Sequence, residues 1–221
     1  MAALLGKFTS IIPAMGDALI RIRFLQRELA LNLKKYQSNW EAPCPLSTRA
    51  LQELVWWLTW AKIKNGLPIH KQIITPDITI HVDALGTGWG ATSKLGNFSG
   101  KWTETEKVHA INVRESKTIW IGLKLHVKKF NIKDTTIKIY TDNISALKYA
   151  SKAGNTASIT LQELALKINE LCHEQNINVD YEHIAGTDNI VADRLSQKGR
   201  EKDPVYQWTV PWKEFRRITK R

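Results

Sequence analysis

Four carboxylates occupy positions where a chain that only had to fold would not need a charge. Asp83 follows the alternating apolar residues of DITIHV, and Asp142 ends a second alternating stretch, TIKIYTD. Glu115 lies in INVRESKTIW and Asp193 lies in NIVADRLSQ. Taken singly, Glu115 fits a capping box with Asn112 as the N-cap, and Asp193 fits a helix surface. Taken together, the four acids predict a functional site.

Carboxylates that are brought together repel one another and raise one another's pKa, so a cluster of them needs a counter-charge. Divalent cations supply that charge, and sites built only from oxygen ligands favour Mg²⁺ or Mn²⁺. Two such ions roughly 3.5–4 Å apart can activate an attacking water and stabilise the leaving oxygen of an in-line displacement. The four acids therefore predict two-metal phosphodiester hydrolysis.

The surrounding segments predict how these acids could meet. Five strands are expected, at residues 77–83, 88–94, 97–102, 135–142 and 177–184. Helices are expected at residues 112–130, 143–151 and 158–175, with a last one from about Asn189. Strands first and α/β alternation afterwards predict a mixed sheet with helices on its faces. Ligands bind at the carboxyl ends of parallel strands, where Asp83 and Asp142 would lie side by side if their strands are neighbours.

Two further helices are expected before the first strand, at residues 17–36 and 47–64. Ser47 is a candidate N-cap for the second, and Asn65-Gly66 is a candidate stop. Four apolar residues recur in it at helical spacing: Leu51, Leu54, Val55 and Leu58. Three tryptophans are expected in a core or an interface rather than stacked on bases: Trp56, Trp57 and Trp60.

The positive charge of the chain lies on its flanks. Residues 1–76 carry ten Lys and Arg against four Asp and Glu, residues 77–197 are balanced, and residues 198–221 carry eight against three. Basic flanks indicate a polyanionic partner such as nucleic acid, although solubility alone explains them equally well. Two distant cysteines, Cys44 and Cys172, indicate a reducing intracellular setting.

No apolar run approaches the roughly 18 residues that a membrane span needs, so a soluble, membrane-free protein is expected. An organelle presequence at the start is the less favoured alternative, because arginine and serine are sparse there. The residues do not distinguish nucleus from cytoplasm.

The motifs HVDALGTGWGA, INVRES, IYTDNISA and HIAGTDNIVADRLS, in this order, resemble the ribonuclease H domain of retrotransposon reverse transcriptases. The DIRS-like and gypsy-like elements are the most similar. The resemblance covers residues 77–197 and implies an α/β, ribonuclease H-like catalytic domain. Its sheet would be mixed and five-stranded, with three antiparallel strands, then two parallel additions, and helices on both faces. The metal ligands and catalytic acids it implies are Asp83, Glu115, Asp142 and Asp193.

Outside this domain the resemblance is weaker. Residues 1–76 resemble the small helical connection that precedes ribonuclease H in such polyproteins, and residues 198–221 form a basic C-terminal tail. Through its N-terminal helices the chain would contact the polymerase part of a reverse transcriptase or another protein. No polymerase Asp-Asp motif occurs in the chain.

Several further roles follow from the same resemblance. His183, ten residues before Asp193, matches a mobile-loop histidine that assists proton transfer, although a half-buried strand-end histidine is the alternative. Asn112 and Asn143 match positions that contact the hybrid, and Asn189 matches an asparagine near the histidine and is a third candidate substrate contact. Four lysines are candidate phosphate contacts, or plain solvated surface: Lys148, Lys124, Lys128 and Lys152. Trp89 is expected to pack on the sheet, and the glycines of GTGWG to let the chain turn beside the substrate.

The function implied is an endonuclease that hydrolyses the RNA strand of RNA/DNA hybrids with two Mg²⁺ ions, with Mn²⁺ as a substitute. The alternative is a domesticated, non-catalytic nucleic-acid-binding or scaffolding protein with the same fold. The basic flanks and the missing polymerase core favour that alternative. The four intact acids argue against it, because a silenced site has no reason to keep costly clustered carboxylates.

Overall fold

The structure is a computed structural model that describes residues 1–63, 75–151, 154 and 156–197. It divides into two units, of which the first is helical and the second contains the strands together with further helices. Among the described residues, the first unit comprises 1–63, 154 and 156–166, and the second comprises 75–151 and 167–197. Residues 156–166 were expected in the sheet domain, but their contacts group them with the N-terminal helices. The basic tail, Lys152 and the Asn65-Gly66 stop lie outside the described residues.

Three α-helices begin the chain: α1 Ala2–Ile11, α2 Arg23–Lys35 and α3 Thr48–Trp60. The predicted helix over 17–36 is only partly correct, because residues up to Ile22 form 3₁₀ turns with a non-helical Arg21. Ser47 is the predicted N-cap of α3, and its Oγ accepts the N–H of Ala50 at 3.3 Å. Trp57 is buried and stacks on Phe8 with ring centroids 4.1 Å apart.

The face of α3 that is buried differs from the apolar stripe in its sequence. Leu51, Val55 and Leu58 are exposed, the last of them at 85%. A neighbouring side of the helix contributes Ala50, Glu53 and Trp57 to the interior, and Leu54 is the member of the stripe that packs there. The spacing therefore identified the helix correctly but not the face that is buried.

The second unit is built on a five-stranded sheet: β1 Ile78–Ala84, β2 Gly88–Ser93, β3 Asn97–Lys101, β4 Thr135–Thr141 and β5 Ile177–His183. The strand order is β3-β2-β1-β4-β5. Strands β1, β2 and β3 pair antiparallel, whereas β4 lies parallel to β1 and β5 lies parallel to β4. The predicted mixed sheet, with three antiparallel strands and two parallel additions, is confirmed.

The remaining helices are α4 Glu104–Lys107, α5 Ile111–Phe130, α6 Ile144–Ser151, α7 Ile159–Glu174 and α8 Ile190–Ser196. All but the short α4 were expected. None of the helices in the described ranges combines the length and the apolar composition that a membrane crossing requires.

Two adjacent residues of β2 show that helices cover both faces of the sheet. A Cβ on Gly90 would lie 2.4 Å from the carbonyl oxygen of Ala192 and 2.6 Å from Leu195, both in α8. A Cβ on Gly122 of α5 would lie 2.9 Å from the Cβ of Ala91. Successive residues of a strand point to opposite faces, so α8 and α5 pack on opposite sides. The predicted placement of helices on both faces is confirmed.

The main core lies between the sheet and α5. It is formed by apolar residues of the central strands and the helix, including Ile80, Val82, Ile137, Ile139, Ile119 and Leu123, all of them fully buried. Burying each such side chain contributes about 1.5–3 kcal/mol. The strand alternation that fills this core turns the intervening residues, among them Asp83, to the other face.

Candidate active site

Two neighbouring parallel strands bring Asp83 and Asp142 together. His81 in β1 pairs with Tyr140 in β4, and the two aspartates lie two residues further along their strands. Both side chains project from the same end of the sheet, because parallel strands present their carboxyl ends at one edge. The prediction that the two acids lie side by side is confirmed.

Glu115, a residue of α5, lies at the same end of the sheet as Asp83 and Asp142. This helix has Ala110 as its N-cap, without a side-chain cap bond, so Asn112 lies inside the helix and the capping-box interpretation of Glu115 is wrong. The capping box of this region is instead formed by Thr103 and Glu106 at α4. Glu115 is only 4% exposed and points into the interior of the unit, as a core residue would.

Asp83, Glu115 and Asp142 form a cluster, with one carboxylate oxygen of each lying within 4.8 Å of the others. Asp83 Oδ2 and Glu115 Oε2 are buried and have no hydrogen-bond partner among the described residues. A buried, unpartnered carboxylate oxygen is costly, and a cation is the ligand that removes the cost for several acids at once. The donor set of three carboxylates fits a hard divalent ion.

The electrostatics of the cluster reflect this crowding. Burial raises the pKa of Glu115 to about 9, and repulsion from Asp83 and Asp142 adds to the effect. Burial also raises the pKa of Asp83 to about 6, with further contributions from Asp142 and Asp193. Without a cation, Glu115 is therefore protonated at neutral pH, and binding a cation displaces that proton.

The fourth predicted acid, Asp193, lies near the cluster but not within it. Its two carboxylate oxygens accept hydrogen bonds from Gln197 Nε2 at 2.9 and 2.8 Å, one helical turn along α8. Its charge nevertheless acts on Asp83, whose pKa it helps to raise. The structure thus brings three of the four acids within ligand distance and holds the fourth in a hydrogen bond beside them.

Asn189 fixes the helix that carries Asp193. Its side chain is 2% exposed, and its Nδ2 donates to the backbone oxygen of Val82 in β1 at 2.9 Å. Its backbone oxygen accepts the N–H of Asp193 at 3.0 Å. Asn189 therefore positions α8 against the strand of Asp83, and its predicted contact with substrate stays a prediction.

Glycines let α8 and β3 approach β2 closely. A Cβ on Gly88 would lie 2.7 Å from the backbone oxygens of both Gly100 and Ser196. Gly88 and Gly90 lie within β2, so close packing explains them, and only Gly86 lies in the turn after β1. Trp89 packs over Gly100 of β3, as expected for a tryptophan on the sheet.

The segment after β5 passes beside Asp142. His183 is exposed, and its Nε2 lies 3.2 Å from the backbone oxygen of Asp142. A Cβ on Gly186 would lie 3.1 Å from Asp142 Oδ2. Asn143, next to Asp142, accepts the N–H of Ala146 at 2.9 Å with its Oδ1 and caps α6. His183 and Asn143 thus lie at the site, and their predicted catalytic and substrate roles stay predictions.

The other predicted substrate contacts lie on helix surfaces. Asn112 is half-buried in the first turn of α5, and Lys148 is exposed on α6. Lys128 is exposed on α5, whereas Lys124 lies over the ring of Trp120 with its Nζ 4.8 Å from the ring centre. Their predicted contacts with substrate stay predictions.

Two residues of this region were not anticipated from the sequence. Gln197 follows Asp193 by four positions, the spacing at which helix side chains meet, and this was the available signal. Gly186 follows His183 in a short connection, and a glycine after a strand end signals a close approach.

Neither a family model nor a curated protein matches the chain. Among solved structures, LC11-RNase H1 in complex with an RNA/DNA hybrid is 22% identical with a TM-score of 0.46, over 54% of this chain and 93% of that one. RNase H1 from Halobacterium salinarum is 17% identical with a TM-score of 0.42, over 55% of this chain and 96% of that one.

A foamy viral protease-reverse transcriptase in complex with double-stranded DNA is also similar, at 13% identity and a TM-score of 0.34. The matched part covers 82% of this chain and 31% of the viral one. Since all these TM-scores are below 0.5, we base the functional proposal on the geometry of the site. The DIRS-like or gypsy-like origin stays a prediction.

Proposed function

We propose that this chain is a divalent-metal-dependent ribonuclease H that hydrolyses the RNA strand of RNA/DNA hybrids. The observation that carries the proposal is the cluster of Asp83, Glu115 and Asp142, which come from three different elements and keep two buried oxygens unpartnered. A fold that only needed stability gains nothing from three adjacent carboxylates, because their repulsion opposes folding. Binding of a cation is the simplest reason to keep them.

Asp83, Glu115 and Asp142 would hold the metal, and Asp193 would complete the set after release from Gln197. Two divalent cations bound there would activate the attacking water and stabilise the leaving oxygen. Oxygen-only donors favour Mg²⁺, with Mn²⁺ as a substitute. Substrate phosphate oxygens would fill the positions that protein ligands leave open.

His183 would assist proton transfer beside this metal centre. With its Nε2 donating to the backbone oxygen of Asp142, a neutral ring keeps Nδ1 as an acceptor. The side chain is exposed, so a proton that Nδ1 accepts can be exchanged with solvent. A histidine placed this way suits general acid-base assistance.

The choice of an RNA/DNA hybrid is supported by the order of the four sequence motifs rather than by the acidic cluster itself. Recognition would depend on the shape of the hybrid and on 2′-hydroxyls, with Asn112, Asn143 and Asn189 as candidate contacts and Lys148 on phosphate. We also propose that the chain belongs to, or derives from, a retroelement reverse transcriptase. Residues 1–76 would then face the polymerase part, residues 77–197 would be catalytic, and residues 198–221 would add positive charge.

The test is cleavage of an end-labelled RNA/DNA hybrid by the purified chain with Mg²⁺ or Mn²⁺. Asp142→Asn should lower the rate by roughly 10³-fold or more, because metal ligation supplies several kcal/mol of transition-state stabilisation. Asp188→Asn is the matched control, since Asp188 is an exposed acid outside the cluster. It should change the rate by no more than about threefold.

Assays on different nucleic-acid substrates distinguish the possible outcomes. Cleavage of the RNA strand in the hybrid, without cleavage of double-stranded RNA, double-stranded DNA or single strands, supports the proposal. Equal rates in wild type and Asp142→Asn would exclude this site assignment. Hybrid binding with no turnover in either metal would instead favour the domesticated binding or scaffolding protein.

A further inference from the structure

A second set of contacts joins the two elements that carry Asp83 and Glu115. Arg114, which precedes Glu115 in α5, places its Nη1 2.9 Å from the backbone oxygen of Gly86 and 3.3 Å from that of Leu85. These carbonyls belong to the turn that starts two residues after Asp83. Because a guanidinium is cationic, both are charge-assisted hydrogen bonds, which are stronger than neutral ones.

Consecutive residues of α5 therefore act on the end of β1 and on the turn that follows it. The backbone N–H of Ala84, the last residue of β1, helps to lower the pKa of Glu115, and Arg114 donates to the carbonyls of the next two residues. A bound cation affects these two contacts differently. The cation competes for the carboxylate oxygens of Glu115, whereas the guanidinium of Arg114, which is bonded to carbonyls, offers the cation nothing to bind. The connection made by Arg114 can thus persist whether or not a metal is bound.

Packing restricts the guanidinium to this position. Arg114 is half-buried, and its Nε is shielded from solvent without a hydrogen-bond partner among the described residues. Burying a polar N–H in this way costs free energy, so the side chain does not lie here merely as a solvated surface arginine. The turn receives support from Trp102 as well, whose Nε1 donates to the backbone oxygen of Leu85 at 3.0 Å.

We propose that Arg114 is a positioning residue for the acidic cluster. By holding the turn after Asp83 against the helix of Glu115, it sets the separation of these two carboxylates before a metal binds. This role rests on the proposed function, because the separation matters only if the two acids serve one metal centre. Arg114 donates to the backbone oxygens of Leu85 and Gly86 rather than to the cluster oxygens, and its positive charge opposes the rise in the pKa of Glu115.

The test compares Arg114→Met, which keeps a long apolar side chain, with Arg114→Lys, which keeps one charged donor. Lys117→Met is the matched control, since Lys117 lies one turn along α5 and pairs with Glu106 instead. It removes the same charge without touching the turn. Wild type and the three variants are measured for hydrogen exchange in the metal-free state and for kcat and KM on the hybrid.

Hydrogen exchange reads the turn directly and needs no activity. The Leu85 N–H bonds to the Gly88 oxygen at 2.9 Å, and the Trp102 N–H bonds to the Thr87 oxygen at 3.1 Å. In Arg114→Met these two amides should exchange about 10- to 100-fold faster, with a partial return in Arg114→Lys and no change in Lys117→Met. Unchanged exchange in Arg114→Met would overturn the proposal.

The kinetic arm separates positioning from substrate contact. A positioning role predicts that Arg114→Met lowers kcat by about 10- to 100-fold with little change in KM, and that Arg114→Lys recovers part of the loss. An increase in KM with unchanged kcat would identify Arg114 as a substrate contact and overturn the positioning role. If the wild type cleaves no hybrid in either metal, the proposed function fails, while the exchange data still decide whether Arg114 holds the turn.

Discussion

Among the residues that the structure describes, each unit buries one glutamate, and the two side chains differ in their hydrogen bonding. Glu53 lies in α3 of the first unit and Glu115 lies in α5 of the second, and both are 4% exposed. Burial raises the pKa of both side chains above the ordinary value for a glutamate. By exposure and direction of pKa shift alone, the two are indistinguishable.

Both carboxylate oxygens of Glu53 have hydrogen-bond partners within the protein. One carboxylate oxygen accepts the N–H of Phe24 at 3.0 Å and the other accepts the N–H of Leu25 at 2.9 Å. These are N–H groups of the first turn of α2, which have no partner within their own helix. Burial raises the pKa of Glu53 to about 7, held down by these bonds and by the charge of Arg21. Glu53 is a cap supplied from another helix.

Glu115 differs from Glu53, because one of its buried carboxylate oxygens accepts no hydrogen bond from the described part of the chain. Its Oε2 has no partner among the described residues, and its nearest charges include two further carboxylates, Asp83 and Asp142. The comparison teaches that a buried carboxylate with a raised pKa does not by itself indicate a metal site. Unpartnered oxygens and adjacent like charges make the distinction, because only a ligand from outside the chain satisfies them.

The strongest way to test this comparison is Glu115→Gln, which removes the charge and keeps the shape. Hybrid cleavage should fall by roughly 10³-fold, because a neutral amide is a poor metal ligand. Addition of Mg²⁺ or Mn²⁺ should raise the midpoint of thermal unfolding of the wild type and of Glu53→Gln, but much less that of Glu115→Gln. A metal-induced increase of equal size in Glu115→Gln would show that the two glutamates do not differ as described.

Glu53→Gln should affect stability and leave the site intact. An amide keeps one acceptor oxygen and turns an NH₂ group toward a backbone N–H, so one donor at the start of α2 loses its partner. The free energy of unfolding should fall by about 1–3 kcal/mol. Urea unfolding at pH 5, below the raised pKa of Glu53, compares a neutral acid with a neutral amide. Loss of metal binding in this variant would contradict the structural role.

The smallest expected effect, for a change of one pH unit, is that of pH on the free energy of unfolding of the metal-free protein. Both glutamates have folded-state pKa values above the ordinary 4.5, so the unfolded chain releases these protons first as the pH rises. The free energy of unfolding should therefore decrease with rising pH, for Glu53 up to about pH 7 and for Glu115 up to about pH 9. The slope should be on the order of 1 kcal/mol per pH unit.

Variants assign the two glutamate contributions to this decrease, and the raised pKa of Asp83 adds a third contribution that ends at about pH 6. Glu115→Gln should flatten the curve between pH 7 and 9, and Glu53→Gln should flatten it only below about pH 7. Saturating Mg²⁺ should oppose the decrease above pH 7 in the wild type, since it binds the ionised cluster. A curve that rises between pH 7 and 9 without metal would show that Glu115 is not buried beside like charges.

Most of the fold was predictable because its signals are local. Alternation of apolar residues identified β1 and β4, and it also placed Asp83 and Asp142 at the ends of their strands. Helical spacing found α5 to within one residue of its start. The exposed stripe of α3 shows the limit of such patterns, because spacing reports that a segment is amphipathic and not which neighbour covers it.

The sequence by itself determined the order of the elements and the presence of acids at their junctions, since side-chain periodicity depends only on adjacent residues. Tertiary structure decided which acids have partners within the protein. Taken singly, Glu115 fits a capping box, and only its grouping with the other acids predicted the cluster in which it lies. No local pattern marked Glu53, which caps α2 through partners 28 and 29 residues away. The reason is that burial and hydrogen-bond satisfaction depend on residues distant in sequence, which local patterns do not encode.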